Sequence, residues 1–237
     1  MSYSLQNRNA LITGGSRGLG ALVAQKLAAE GCNVALNYFS SKEIAEKLAS
    51  DIQAQYKVKA ITIQGDASRK DDCINAVQST IQQLGGLDIV ISNAGWTKMT
   101  NFGDLDAMDD DDWDKCWTTN VKGHFHLFKE ALPTFNANPD GGVFLLTSST
   151  AAITASGSSL PYAVTKAAGL HLVKCLAQSQ GRKGQRFPPE KIQGYKDKAV
   201  LNKVPEVEDT ANAFIMLAKN ASMTGQAIQV DSGFAIK

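Results

Sequence analysis

The sequence is poor in the features that would assign it to several large classes of protein. Four cysteines occur in 237 residues, at positions 32, 73, 116 and 175. They are widely scattered and form no C-x-x-C pair, so they suggest neither a zinc site nor a disulfide framework. They read as small buried hydrophobes in a reducing compartment. Charge of one sign is also lacking. With 24 Lys and Arg against 23 Asp and Glu, no net field draws in nucleic acid or an anionic membrane. No apolar run is long enough to span a bilayer, the N-terminal stretch MSYSLQNRNALIT included. The expectation is a soluble, cytoplasmic protein whose partner is a small molecule. No metal is expected either. His124 and His126, two apart on a predicted helix, point in different directions, and His171 stands alone. The acidic run 109–112 reads as a solvated helix start that complements the macrodipole. Arg182, Lys183 and Arg186 lack interleaved aromatics and read as a solvated loop.

What is present is a regular alternation. At 43% hydrophobic content, the chain can bury one sizeable core, and a single domain over residues 1–237 is expected, irregular over 181–205. Short apolar runs predict strands at 10–13, 34–38, 60–64, 87–92, 143–147 and 227–230. Between them Leu19, Leu22, Val23 and Leu27 keep helical spacing, as do Ile44, Leu48 and Ile52, and Ile74, Val77, Ile81 and Leu84. Gly31 stands where a helix C-terminus favours glycine. Such taking of turns predicts right-handed βαβ units and a doubly wound α/β fold, a parallel sheet covered on both faces. Folds of this kind bind ligands at the carboxyl ends of their strands.

The first of those ends carries Thr13-Gly14-Gly15-Ser16-Arg17-Gly18-Leu19-Gly20. Glycines between a strand and a helix permit a tight turn and let backbone N–H groups approach a pyrophosphate. No Gly-Lys-Ser/Thr follows, so this is not a P-loop. Further along, PYAVTK places Tyr162 and Lys166 four apart, one turn from each other on a helix face. An ammonium there favours a phenolate, which suits proton transfer.

In this order the motifs resemble those of the short-chain dehydrogenase/reductase family. TGGSRGLG resembles its glycine loop, Asn93-Ala94-Gly95 the motif after its fourth strand, YAVTK its Tyr-x-x-x-Lys, and MTGQAIQVDSG its closing strand. The resemblance implies an oxidoreductase that moves hydride between a nicotinamide cofactor and a carbonyl/alcohol pair. It implies Tyr162 as general acid/base and Lys166 as the residue that tunes it and holds the nicotinamide ribose. Ser149, 13 residues before the tyrosine, would polarise the substrate in preference to Ser148, and Asn120 would hold a water of the proton relay. Gly14, Ser16, Arg17, Gly18, Leu19, Gly20, Asn93, Ala94 and Gly95 would line the cofactor, with Asp66 and Ala67 at the adenine. The second strand ends in Asn37-Tyr38-Phe39-Ser40 without an acid, and Arg17 stands in the glycine loop, so NADP(H) is favoured over NAD(H), with Asn37 and Ser40 beside it. Some relatives carry arginine where Phe39 stands, which leaves NAD(H) open. The resemblance also implies a homodimer or homotetramer, packed through helices near 113–135 and 162–180.

One part of the pattern is missing. After the helix that carries YAVTK, the family continues with a sixth strand and a Pro-Gly turn, whereas GRKGQRFPPEKIQGYKDKAVLNK shows no strand character, and helical spacing resumes at Glu190 and again near Glu206. The last strand, 227–230, would then either take the vacant place beside 143–147 or dock loosely. A nucleotide-binding protein that does no chemistry is the alternative this gap raises.

Overall fold

The computed structural model describes residues 4–180, 207–220, 223, 226–228 and 230. Five strands, β1 (Asn9–Ile12), β2 (Asn33–Tyr38), β3 (Ala60–Gln64), β4 (Ile89–Ser92) and β5 (Val143–Leu146), form one parallel sheet in the order β3-β2-β1-β4-β5. Helices α1 (Gly18–Ala29), α2 (Lys42–Tyr56), α3 (Lys70–Leu84), α4 (Asp110–Trp117), α5 (Gly123–Ala137), α6 (Leu160–Gln180) and α7 (Val207–Ala218) connect or cover the strands. The doubly wound α/β expectation holds, with predicted strand ends met to within one or two residues.

Alternation along each strand builds two cores. Ala10, Ile12, Val34, Leu36, Ile89 and Ile91 face one way and pack with Val23, Ala24 and Leu27 of α1, Ile52 of α2 and Ala211 and Phe214 of α7. Leu11, Ala35, Ile63 and Val90 face the other way, against Cys73, Ala76 and Val77 of α3 and Leu127 and Ala131 of α5. Because successive residues point to opposite faces, short apolar strands serve both cores at once. Gly31, at φ +83°, turns the chain out of α1, as expected.

Two expectations are corrected. The long helix near 113–135 is broken by a π-helical turn, Thr118–Lys122, in which the Gly123 N–H donates to Thr118 O. A π turn inserts an extra residue, and here it rotates Asn120 into the protein. The strand at 227–230 is not met in its described residues: Ala227, Ile228 and Val230 lie outside the sheet, and Ile228 is exposed. Among the described residues β5 is an edge, half-buried throughout where β1 and β4 are fully buried, and none of these residues pairs with it. The stretch 181–206, in which the family's sixth strand was expected to be missing, lies outside the described residues.

Candidate active site

The carboxyl ends of β1 and β4 are stitched together by side chains. Thr13 Oγ1 accepts from the N–H groups of Asn93 and Ala94, both at 3.0 Å. Asn93 Nδ2 donates to Thr13 O at 3.0 Å, and Thr147 Oγ1 donates to Asn93 Oδ1 at 3.1 Å. Three strand ends are thus tied before any ligand arrives. The glycine loop lies on this base. Gly14 and Gly18 take φ +61° and +57°, which only glycine adopts without strain. A side chain at Gly20 would lie 2.3 Å from Gly14 O, so the first turn of α1 packs directly on the loop. At exposed Gly18, by contrast, nothing among the described residues lies within 4 Å of where a side chain would start. The Arg17 side chain does not cap α1, and the first N–H groups of a helix so placed form a cradle that fits a dinucleotide's pyrophosphate.

At the neighbouring edge, exposed Arg17, Phe39 and Ser40 flank the end of β2. Asn37 is committed elsewhere: buried, it donates to Ile63 O and Gly65 O at 3.3 and 3.2 Å, and so ties β2 to the end of β3. Asp66 Oδ1 accepts from Ser68 N at 2.8 Å and shapes the turn that follows, while Ala67 O lies against Gly123.

The candidate catalytic residues come from three elements. Tyr162, half-buried, and Lys166, buried, occupy the first two turns of α6 on one face, with Lys166 Nζ 5.6 Å from the Tyr162 ring centroid. Lys166 Nζ donates to Thr147 O at 2.8 Å, and burial lowers its pKa to about 8. An ammonium has two further donors to give. Asn120 Oδ1 accepts from Trp96 N, and its Nδ2 donates to Trp96 O, both at 2.9 Å, and also to Thr165 Oγ1 at 3.1 Å. A side chain at exposed Gly95 would lie 3.3 Å from both Asn120 Oδ1 and Lys166 Nζ. Gly95 is therefore an exposed floor beneath which those two groups meet. Ser149 caps a short 3-10 turn, its Oγ accepting from Ala151 N at 3.2 Å, and Gly157 brings that turn beside the tyrosine: its missing side chain would lie 3.0 Å from Ala151 and 3.9 Å from the Tyr162 ring. Ser148 instead donates to Lys166 O at 3.2 Å and so holds the helix backbone.

Sequence reasoning missed the side chains that support this arrangement, Thr13, Thr147 and Thr165, although two of them lie inside the quoted motifs. Cys116 is buried, as expected; its thiol pKa is pushed up to about 11 chiefly by burial, and its Sγ lies 3.8 Å from Trp96 O. A cavity of about 720 Å³, lined in part by Asn33, Tyr56 and Lys57, opens at the opposite ends of the strands and holds none of these groups.

The chain as a whole is matched by known proteins. A family model described as short chain dehydrogenase matches residues 8–187. The chain belongs to the short-chain dehydrogenase family. As a member it is an oxidoreductase, and the expectation of hydride transfer stands over that of a nucleotide-binding protein without chemistry. The chain is similar to a 3-oxoacyl-(acyl-carrier-protein) reductase of Staphylococcus epidermidis, 32% identical, with 96% of this chain and 98% of the relative covered. That alignment is 245 positions long, more than the 237 residues of this chain, so the relative carries residues with no counterpart here. Among solved structures, an NADPH-dependent 3-quinuclidinone reductase from Rhodotorula rubra superposes with TM-score 0.84 at 25% identity, covering 99% of this chain and 93% of its own. A blue fluorescent protein from a metagenomic library, in complex with NADPH, gives TM-score 0.82 at 29% identity and covers 98% and 99%.

Proposed function

We propose that this short-chain dehydrogenase is an NADP(H)-dependent enzyme that interconverts a small-molecule carbonyl and its alcohol through Tyr162, Lys166, Ser149 and Asn120. The observation that carries this is the convergence of Lys166 and Asn120 under Gly95, with Tyr162 one turn away. The cofactor, when bound, supplies hydride to the carbonyl carbon. The Ser149 and Tyr162 hydroxyls then hold the oxygen on which charge develops, and Tyr162 gives it the proton. The Lys166 ammonium stabilises the phenolate left behind and has donors free for a ribose hydroxyl. Asn120, fixed on both sides of its amide by Trp96, keeps the relay beneath the floor in place.

NADP(H) is supported by the two NADPH-linked neighbours and by the edge chemistry. No carboxylate ends β2 to repel a 2′-phosphate, and Arg17 and Ser40 are exposed beside it. Direct contact by Asn37 is not part of this assignment, because its amide is spent on β3.

Two further parts of the proposal concern the whole protein. It resides in a reducing compartment, where the exposed thiol of Cys175 stays free. It also assembles as a homodimer or homotetramer through α4, α5 and α6, on which Trp117, Phe125 and Val164 are exposed.

The test is a panel of carbonyl compounds followed through nicotinamide absorbance, with NADPH and NADH titrated separately. Tyr162→Phe is expected to abolish turnover and to leave NADPH binding intact. Unchanged turnover in that variant would overturn the acid/base assignment, and equal affinity for the two nucleotides would overturn the cofactor preference.

A further inference from the structure

His124 is a buried titratable group that the mechanism above does not use. Its ring is 2% exposed, and its Nδ1 lies 2.6 Å from the hydroxyl of Ser92, which is also fully buried. Its Nε2 has no hydrogen-bond partner among the described residues. We infer that Ser92 and His124 are a positioning pair for the reaction, whose hydrogen bond holds the strand end that leads to Gly95 against the helix that carries Asn120. The inference rests on the catalytic assignment of Asn120 and Lys166.

The geometry is that of two struts. Ser92 meets His124, and four residues later in one segment and four earlier in the other, Trp96 meets Asn120. Between the struts lie Asn93, Ala94 and Gly95. One strut is made by a catalytic side chain. If the other were lost, the segment 93–95 would be held on this side only through Trp96, by the amide of Asn120 and the weaker contact of Cys116, and any slack would fall where Gly95 covers Asn120 Oδ1 and Lys166 Nζ. Gly123, next to His124, abuts Ala67 O, so the α5 end of the strut is itself anchored on the end of β3.

Stability alone does not account for a histidine here. Burial, and to a lesser degree the charge of Lys166, hold the ring's pKa down to about 3, so it is neutral throughout the working range. A neutral imidazole bonded through one nitrogen only leaves the other buried and unpaired, a cost an apolar side chain would avoid. Leu127 and Ala131, further along the same helix, show what this face otherwise buries. What histidine adds is a directional bond from the helix to the strand end.

The test compares His124→Leu, Ser92→Ala and His124→Asn in the full chain, by kcat, KM for the carbonyl, NADPH affinity and Tm. Loss of the bond is expected to lower kcat about tenfold or more, with KM and NADPH affinity within about twofold. The Asn variant, whose amide can reach the place of Nδ1, recovers most of kcat. Should His124→Leu fail to fold, Ser92→Ala decides, because it removes the bond while leaving the ring in place. Unchanged kcat with only a lower Tm, or an Asn variant no better than Leu, overturns the positioning role. A wild-type chain without turnover on any carbonyl sinks the catalytic assignment and this inference together, whereas active wild type with unaffected variants sinks this inference alone.

Discussion

At the residue scale the costliest group in the site is Lys166. It is 3% exposed, and burial brings its pKa from the ordinary 10.5 down to about 8. Below pH 8 the lysine is charged in both the folded and the unfolded chain, and the fold bears the full cost of burying that charge. Between pH 8 and 10.5 the folded protein has lost the proton and the unfolded chain keeps it, so stability rises with pH. Above 10.5 the cost is gone. A shift of this size is worth roughly 3 kcal/mol, from which the lost bond to Thr147 O takes back about 1 kcal/mol. Lys166→Met is therefore expected to raise the unfolding free energy of the cofactor-free protein at pH 7 by about 2 kcal/mol while abolishing turnover. Denaturant titrations at pH 7 and pH 10 check this: the gap between variant and wild type should shrink at the higher pH. An equal gap at both would show that the charge is not what strains the fold. A site that works against stability at one residue is a common signature of function.

At the element scale the site depends on two places where backbones meet without side chains between them. Gly20 puts α1 on the glycine loop, and Gly123 puts α5 on the end of β3, where an added side chain would lie 2.2 Å from Ala67 O. The helix geometry at Gly123 suits alanine, at φ −57° and ψ −46°, so any penalty there is steric. Gly123→Ala is expected to lower stability by about 1–3 kcal/mol, because backbone on both sides resists the shift. A thermal melt checks it, and an unchanged or higher Tm would mean that α5 can slide outward freely. The π turn before Gly123 was not legible in the sequence, where 113–135 keeps ordinary helical spacing. A single extra residue in a turn leaves almost no trace in periodicity, and what favours it, Asn120 bonded on both sides to Trp96, is a contact between segments remote in the chain. The acidic run was legible, since capping is local: Asp109 Oδ1 accepts from Asp112 N at 2.9 Å and opens α4.

At the scale of the whole molecule, α7 packs into the core built on α1, β1 and β2, so the C-terminal part of the described chain completes one face of the sheet. The other edge ends at β5. Trp117, Phe125 and Val164 expose apolar surface on helices next to the site, and covering it with a second copy would also brace the elements that hold Asn120 and Tyr162. Sedimentation velocity at micromolar concentration is expected to show a dimer or tetramer, and a monomer alone would overturn the proposed assembly.

By itself the sequence determined the alternation of strand and helix, the glycine loop at the first crossover and the pairing of Tyr162 with Lys166 on one helix face. These are legible because periodicity, turn chemistry and the i, i+4 relation act between near neighbours. Only the tertiary structure decided which polar groups the fold spends on itself. Ser148 holds the backbone of α6 and Ser149 does not, Asn37 belongs to β3, and His124, unremarkable as one of two histidines on a helix, is bonded to a strand end. It also decided that Lys166 is buried and that residues 227 and 228 find no strand to join. Burial and hydrogen-bond partnership are set by whatever distant segment packs alongside, and no local pattern in the chain encodes that neighbour.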